Sequence, residues 1–209
     1  MKILLALAAV PLIAGCGARA GDLTEGGIQV VRSACPTVAI PAATGDITTF
    51  STGSTEAAAI DVTAAMTNVR SVCDETGSEV VTRVTFDVQA SRTDAASARD
   101  VTLPYFIAIV RGGNAVTAKR LGQVTLRFAA GQRRAQAAAE ATTAITRSAA
   151  TLSEEARKEL TRKRKAGDET AAIDPLSQPE IRQAVLRATF EALVGFQLTQ
   201  DQLRYNATR

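Results

Sequence analysis

The sequence predicts a mainly β fold: an immunoglobulin-like or fibronectin-like antiparallel sandwich with a long α-helical insertion before its last strand. Three observations predict it. Residues 79–90, EVVTRVTFDVQA, alternate apolar and polar side chains, with Val84, Phe86 and Val88 on one face and Arg83, Thr85, Asp87 and Gln89 on the other. Short β-compatible runs recur between residues 37 and 129, separated by turn-like stretches. Residues 131–172 then become rich in Ala, Glu, Arg and Lys and contain no proline, a composition of high helix propensity.

Along the chain, TVAI (37–40) and ITTF (47–50) read as short strands around AATGD. AAAIDVTAAM (57–66) puts Ile60, Val62, Ala64 and Met66 on one face; VRSVC (69–73) continues it, and DETGS is a turn. After the alternating strand 79–90 and a polar connection, VTLPYFIAIV (101–110) is nearly all apolar, as expected of a central strand. Pro104 sits near its beginning, where a missing N–H is tolerated. RGGN is a hairpin turn by composition. AVTAKRL and QVTLRFA (115–129) come next, with Val124, Leu126 and Phe128 alternating.

In the Ala-rich stretch, Ala138, Ala141, Ile145, Ala149, Leu152, Ala156 and Leu160 are spaced at three and four residues, one face of a helix. A continuous helix from Gln132 to Lys165 would extend about 50 Å; a break near Ala150 would give two. Thr151 with Glu154 fits a capping box, and Gly167 a helix stop. The face is a seam either for the sandwich or for a partner helix. IDPLSQPEIRQ (173–183) reads as a loop, AVLRATFEALVGFQL (184–198) as the last strand, and TQDQLRYNATR as a turn of helix and a tail.

The first fifteen residues have the layout of a secretory signal. Lys2 precedes an apolar run from Ile3 to Ile13, too short to span a bilayer. Ile13-Ala14-Gly15-Cys16 resembles the bacterial lipobox, which implies diacylglycerol on the Cys16 sulfur and cleavage before it. Residues 1–15 are then a lipoprotein signal peptide, and residues 16–34 a lipidated Cys16 with a flexible, glycine-containing tether. Residues 35–209 are the sandwich domain. By resemblance to enteric lipoproteins, Gly17 after the cysteine favours the outer membrane, facing the periplasm.

Export leaves Cys35 and Cys73 in an oxidising compartment, where such a pair is expected to bridge, two unpaired buried thiols being the alternative. On the chain-entropy model that loop closure contributes roughly 4 kcal/mol. The formal charge of +3 and the basic isoelectric point would raise nucleic acid as a partner elsewhere; in the periplasm the available anionic partners are lipids. Arg162, Lys163, Arg164 and Lys165 form the candidate contact to such a surface, or serve the helix dipole at a C-terminus.

CPTVAI after the leader, LPYFIAIV, and the closing LVGFQLTQDQLRYN together resemble an uncharacterised alphaproteobacterial lipoprotein family. The resemblance covers most of residues 35–129 and 184–206. It implies an address and a fold and brings no activity. The segment 131–172 is longer than that family's usual connection.

No histidine is present, which removes Ser-His and Cys-His catalysis and the commonest metal ligand. Serine with lysine three residues on, and the phosphate-cradling glycine loop, are also absent. Asp74, Glu75, Asp94 and Asp100 lie near strand ends and are the acids that a carboxylate pair could draw on; turn and surface roles are the simpler reading. The sequence therefore points to a non-enzymatic envelope lipoprotein that needs no cofactor and acts as a protein-interaction or structural module. A lipid or glycan carrier is the alternative.

Overall fold

A computed structural model describes residues 23–24, 27–28, 33–51, 53–162, 167 and 173–208. Ten strands are present among them. β1 (Leu23–Thr24) and β2 (Gly27–Ile28) form a small antiparallel pair within the expected tether. The others are β3 (Thr37–Ala39), β4 (Asp46–Phe50), β5 (Ile60–Asp74), β6 (Glu79–Arg92), β7 (Arg99–Arg111), β8 (Ala115–Phe128), β9 (Arg134–Thr146) and β10 (Phe190–Phe196). They build two four-stranded sheets, β3-β10-β7-β8 and β4-β5-β6-β9, antiparallel except for β3 against β10. The described residues also form three α-helices, α1 (Glu154–Thr161), α2 (Pro179–Arg187) and α3 (Gln200–Thr208), and two single 3₁₀ turns, Ala57–Ala59 and Pro175–Ser177.

The alternation read in the sequence is the alternation that packs. Along β6 every even residue from Val80 to Arg92 is buried, while the odd ones face outward. Val62, Ala64 and Met66 of β5, Leu103, Tyr105 and Ile107 of β7, and Val124, Leu126 and Phe128 of β8 close the same core, with Val194 and Phe196. Pro104 lies inside β7, opposite Gln123. Its side toward β10 is where that ladder ends: Gln197 donates to the Pro104 carbonyl at 2.9 Å, and the return bond that proline cannot make falls just beyond the last paired residues, Tyr105 and Phe196.

Two expectations are corrected. The long α-helical insertion over residues 131–172 is not formed, because residues 134–146 are strand β9, paired with β6 along their whole length. Alanine favours helix by well under about 1 kcal/mol per residue over most alternatives, less than an unbroken ladder and a buried face supply. The odd residues Ala135, Ala137, Ala139, Ala141, Thr143 and Ile145 face the core, and small ones suffice where Phe86, Tyr105 and Phe128 already fill it. The periodic Ala138 sits on the outer face, opposite to Ala141 and Ile145. Within 131–172 the described residues beyond β9 hold one short helix, α1, whose cap is Ser153 rather than Thr151; its hydroxyl accepts from the Ala156 amide at 3.3 Å. Second, the first part of the expected last strand is helix α2. Pro179 occupies its first turn, Glu180 stands near its N-terminus and Arg187 in its last turn, a proline position and charge order that suit a helix. The strand begins at Phe190.

Tyr105 bridges the two sheets. Its hydroxyl donates to the Glu140 carbonyl of β9 at 2.8 Å, and its ring stands edge-on to Phe86 at 5.1 Å. It passes over Gly122, its partner on β8, where an added Cβ would lie 2.3 Å from the ring. Gly122→Ala is therefore expected to destabilise the fold by about 2 kcal/mol. In a Tyr105→Leu background the same change should cost far less, a coupling that chemical denaturation of the four proteins would read. Burial, then the nearby Glu140 carboxylate, push the Tyr105 phenol above its ordinary value of 10.0. Because the folded value is raised, its contribution to stability is complete below pH 10 and is lost as pH rises through the folded value. Tyr205→Phe leaves Tyr105 as the chromophore, and its absorbance titration should then have a midpoint above 10; a midpoint at the ordinary value would contradict the packing.

Candidate functional site

Strand parity sets the first feature. Asn68, at φ 52°, makes a bulge in β5 between Thr67 and Arg70. Before it Met66 pairs with Val88 of the inward row; after it Ser71 and Cys73 pair with Val84 and Thr82 of that row. The extra residue thus turns Cys73 toward the opposite sheet and leaves Val72 outward, 73% exposed. Asparagine tolerates this left-handed backbone, and its side chain is held by Asp87 and Arg70.

The inward Cys73 meets Cys35, just before β3, in a disulfide with Cα atoms 6.0 Å apart. The bridge packs beside Val80, Ile109, Ile145, Phe190 and Ala192. Glu75, two residues past Cys73, accepts from the Ala34 amide at 2.8 Å and the Ser33 hydroxyl at 3.1 Å. The chain coming from the N-terminal side is thus fastened by a covalent bond and two hydrogen bonds. The sequence predicts the disulfide; it does not mark Glu75 as a fastening, and the place of this acid two residues after Cys73 is the available signal.

The acids do not converge. Asp74 and Glu75 are at the disulfide end of the sandwich, whereas Asp94 and Asp100 are at the other. Asp74 accepts from the Thr76 amide and hydroxyl, which hold its carboxyl below the usual carboxylate value. Asp94 accepts from the Ala96 amide, and Asp100 lies 3.9 Å from Arg127. No cluster of three His, Cys, Asp or Glu among the described residues is arranged to hold a metal ion.

Arg162 follows α1 and lies 3.0 Å from Glu159. Lys163, Arg164 and Lys165 lie outside the described residues, as does Cys16. No helix among the described residues is long and apolar enough to cross a membrane.

The other arginine of note is not singled out by sequence. Arg92 ends β6 on the inward row and is only 4% exposed. Its guanidinium donates to the carbonyls of Gln132 (2.9 Å), Ser97 (2.7 Å), Ala129 (2.9 Å) and Ala95 (3.4 Å), and lies 4.9 Å over the Phe128 ring. It knits together the two connections at the end opposite the disulfide.

The closing block LVGFQLTQDQLRYN is a clamp. Gly195 admits the loop after β3: a Cβ there would stand 2.4 Å from the Thr44 hydroxyl, and the Phe196 amide donates to the Thr44 carbonyl. Thr199 and Gln202 form a reciprocal capping box at the start of α3. Tyr205 stands edge-on to Phe50, and Asn206 donates to the Ala43 and Asp46 carbonyls. On the outer face of the β4-β5-β6-β9 sheet, a shallow, open hollow of about 370 Å³ is lined by a mixture of polar residues (Asp46, Thr48, Thr63, Gln89, Ser91 and Arg134) and alanines (Ala64, Ala65 and Ala90). Each block on which the sequence resemblance rests thus has a role in holding the fold together. Comparison with family models, curated proteins and solved structures finds no match to this chain.

Proposed function

We propose that the chain is a non-enzymatic lipoprotein, held by acylated Cys16 at the outer membrane facing the periplasm. There the sandwich serves as a protein-interaction or structural module of the envelope. The observation that carries the reading is the fastening of residues 33–35 by Cys73 and Glu75, a reinforcement suited to the point where a tether meets its load. The same reading keeps the lipoprotein family resemblance and treats the residues 162–165 as a contact to anionic headgroups. It keeps the immunoglobulin-like or fibronectin-like description for the layered architecture alone. The strand order differs from the constant-type order, since β4, β5 and β6 lie side by side in one sheet.

The test is incorporation of an alkyne fatty acid in cells, with fractionation. Wild type should carry the label in the outer-membrane fraction. Cys16→Ala should lose both label and sedimentation. A soluble, unlabelled wild type would overturn the anchoring. A purified domain with a defined hydrolytic activity, lost on changing one carboxylate, would overturn the non-enzymatic part. The alternative, a lipid or glycan carrier, predicts instead that native mass spectrometry of protein released from cells shows a retained lipid or saccharide.

A further inference from the structure

The edges of the two sheets are treated unequally. β3 is three residues long, and β4 is covered by α3, whose Gln202 donates to the Thr48 carbonyl and whose Asn206 donates to that of Asp46. The exposed half of β8 carries Lys119 and Arg120 in its middle, charges that discourage strand addition. β9 is protected less: thirteen residues, RAQAAAEATTAIT, without proline or lysine, paired to β6 with no bulge, and with one charge of each sign, Arg134 and Glu140. By contrast, the β4–β5, β5–β6 and β7–β8 pairings each shift register.

The direction of the backbone groups is fixed at both ends of β9. The Arg133 carbonyl accepts from Arg92 and the Arg147 amide donates to Ser78, so odd-numbered residues face β6. Even-numbered N–H and C=O groups from Arg134 to Thr146 face away from it. The Glu140 carbonyl, to which Tyr105 donates, belongs to this outward set and keeps a second lone pair. Ala135, Ala137 and Ala139 pack against the core but remain partly exposed, and the even residues from Arg134 to Thr146 are exposed apart from the Tyr105 contact at the Glu140 carbonyl.

We propose that this edge pairs, antiparallel, with the β9 edge of a second copy about a two-fold axis at Ala137. The strand's own charges select the register. Even residues must oppose even residues for the outward groups to bond. With Ala137 opposite itself, Arg134 of each chain stands opposite Glu140 of the other, and Gln136 opposite Ala138. Moving the axis to Glu140 would instead set two carboxylates against each other. The chosen register supplies about eight main-chain hydrogen bonds by the antiparallel pattern and two cross-strand ion pairs. It joins the two β4-β5-β6-β9 sheets into one. Arg83, 3.4 Å from Glu140 within its own chain, extends each ion pair into a row of three charges. This proposal does not depend on lipidation of Cys16.

Full-length Ala137→Cys, expressed in cells and oxidised, should yield a covalent dimer whose mapped bridge joins residue 137 to residue 137. Opposed odd residues are the closely spaced, non-bonded pairs of this register, suited to a disulfide. Ala144→Cys, outside the overlap, should give none. For the chain without added cysteine, sedimentation in detergent should show a dimer. Glu140→Arg should raise its dissociation constant about tenfold or more, and adding Arg134→Glu should restore it. Ala138→Pro should give a folded monomer, since it removes an outward N–H and no bond to β6. Folded Ala137→Cys without a 137–137 bridge, a dimer indifferent to the charge reversal, or a bridge from 137 to another protein would each overturn the pairing.

Discussion

Arg92→Met is expected to destabilise the protein by about 3 kcal/mol or more, although it exchanges a charge for an apolar side chain of similar length at a buried position. Four carbonyls from two connections, 93–98 and 129–133, converge on this guanidinium. A hydrogen bond to a charged group contributes about 1.5–3 kcal/mol, and an abandoned buried acceptor costs about 1–3. Methionine restores the packing against Phe128 and none of the bonds. Arg92→Lys should fare little better, because three donors on one nitrogen cannot span carbonyls that a planar fork reaches in different directions. Urea unfolding gives the size of the effect. Hydrogen exchange gives its place, with protection lost first at 93–98 and 129–133. A loss below about 1 kcal/mol would show that water replaces the arginine at these carbonyls.

Replacing both Cys35 and Cys73 by serine should cost roughly 4 kcal/mol, the chain-entropy value for a bridge of sequence separation 38. The bridge also lies among Val80, Ile109, Ile145 and Phe190, so the serines bring polar groups into an apolar neighbourhood and add to the loss. Thermal unfolding with and without reductant should separate the two contributions: the reduced wild type lacks the closure and keeps the sulfurs, whereas the serine pair lacks both. Equal stability of reduced and oxidised protein would mean that the unfolded chain is already held compact. Thiol alkylation of unreduced, folded protein should label neither cysteine.

Most of the sandwich is legible in the sequence because its strands alternate. Val84, Phe86 and Val88, and Val124, Leu126 and Phe128, mark a buried face that no helix spacing imitates. Cys35 and Cys73 are legible from thiol chemistry together with the export that the leader leads one to expect. β9 is not legible because alanine serves both periods. The steps of three and four linking Ala138, Ala141 and Ile145 coexist with the alternation of Ala135, Ala137, Ala139 and Ala141, and the decision lies in β6, a partner about fifty residues away in sequence. At 184–198 the alternation of Val185, Arg187 and Thr189 is accidental, and the stronger signal is Pro179 followed by Glu180. Arg92 looks like one more surface charge, because its burial depends on connections from elsewhere in the chain. Of the site at the disulfide, the cysteines can be read but the bulge at Asn68 cannot, since parity is visible only once β5 is laid against β6.

The bridge from Cys35 to Cys73 has a mechanical consequence. Tension arriving through residue 33 would otherwise fall on β3, three residues long and able to unzip from β10. The disulfide carries that tension past β3 into the end of β5, a fifteen-residue strand between two neighbours. It also locks the intervening chain inside a covalent loop, withholding on the order of 130 Å of extensible length. A pulled, oxidised domain therefore behaves as a short, stiff link, and reduction would turn the same domain into a long, compliant one.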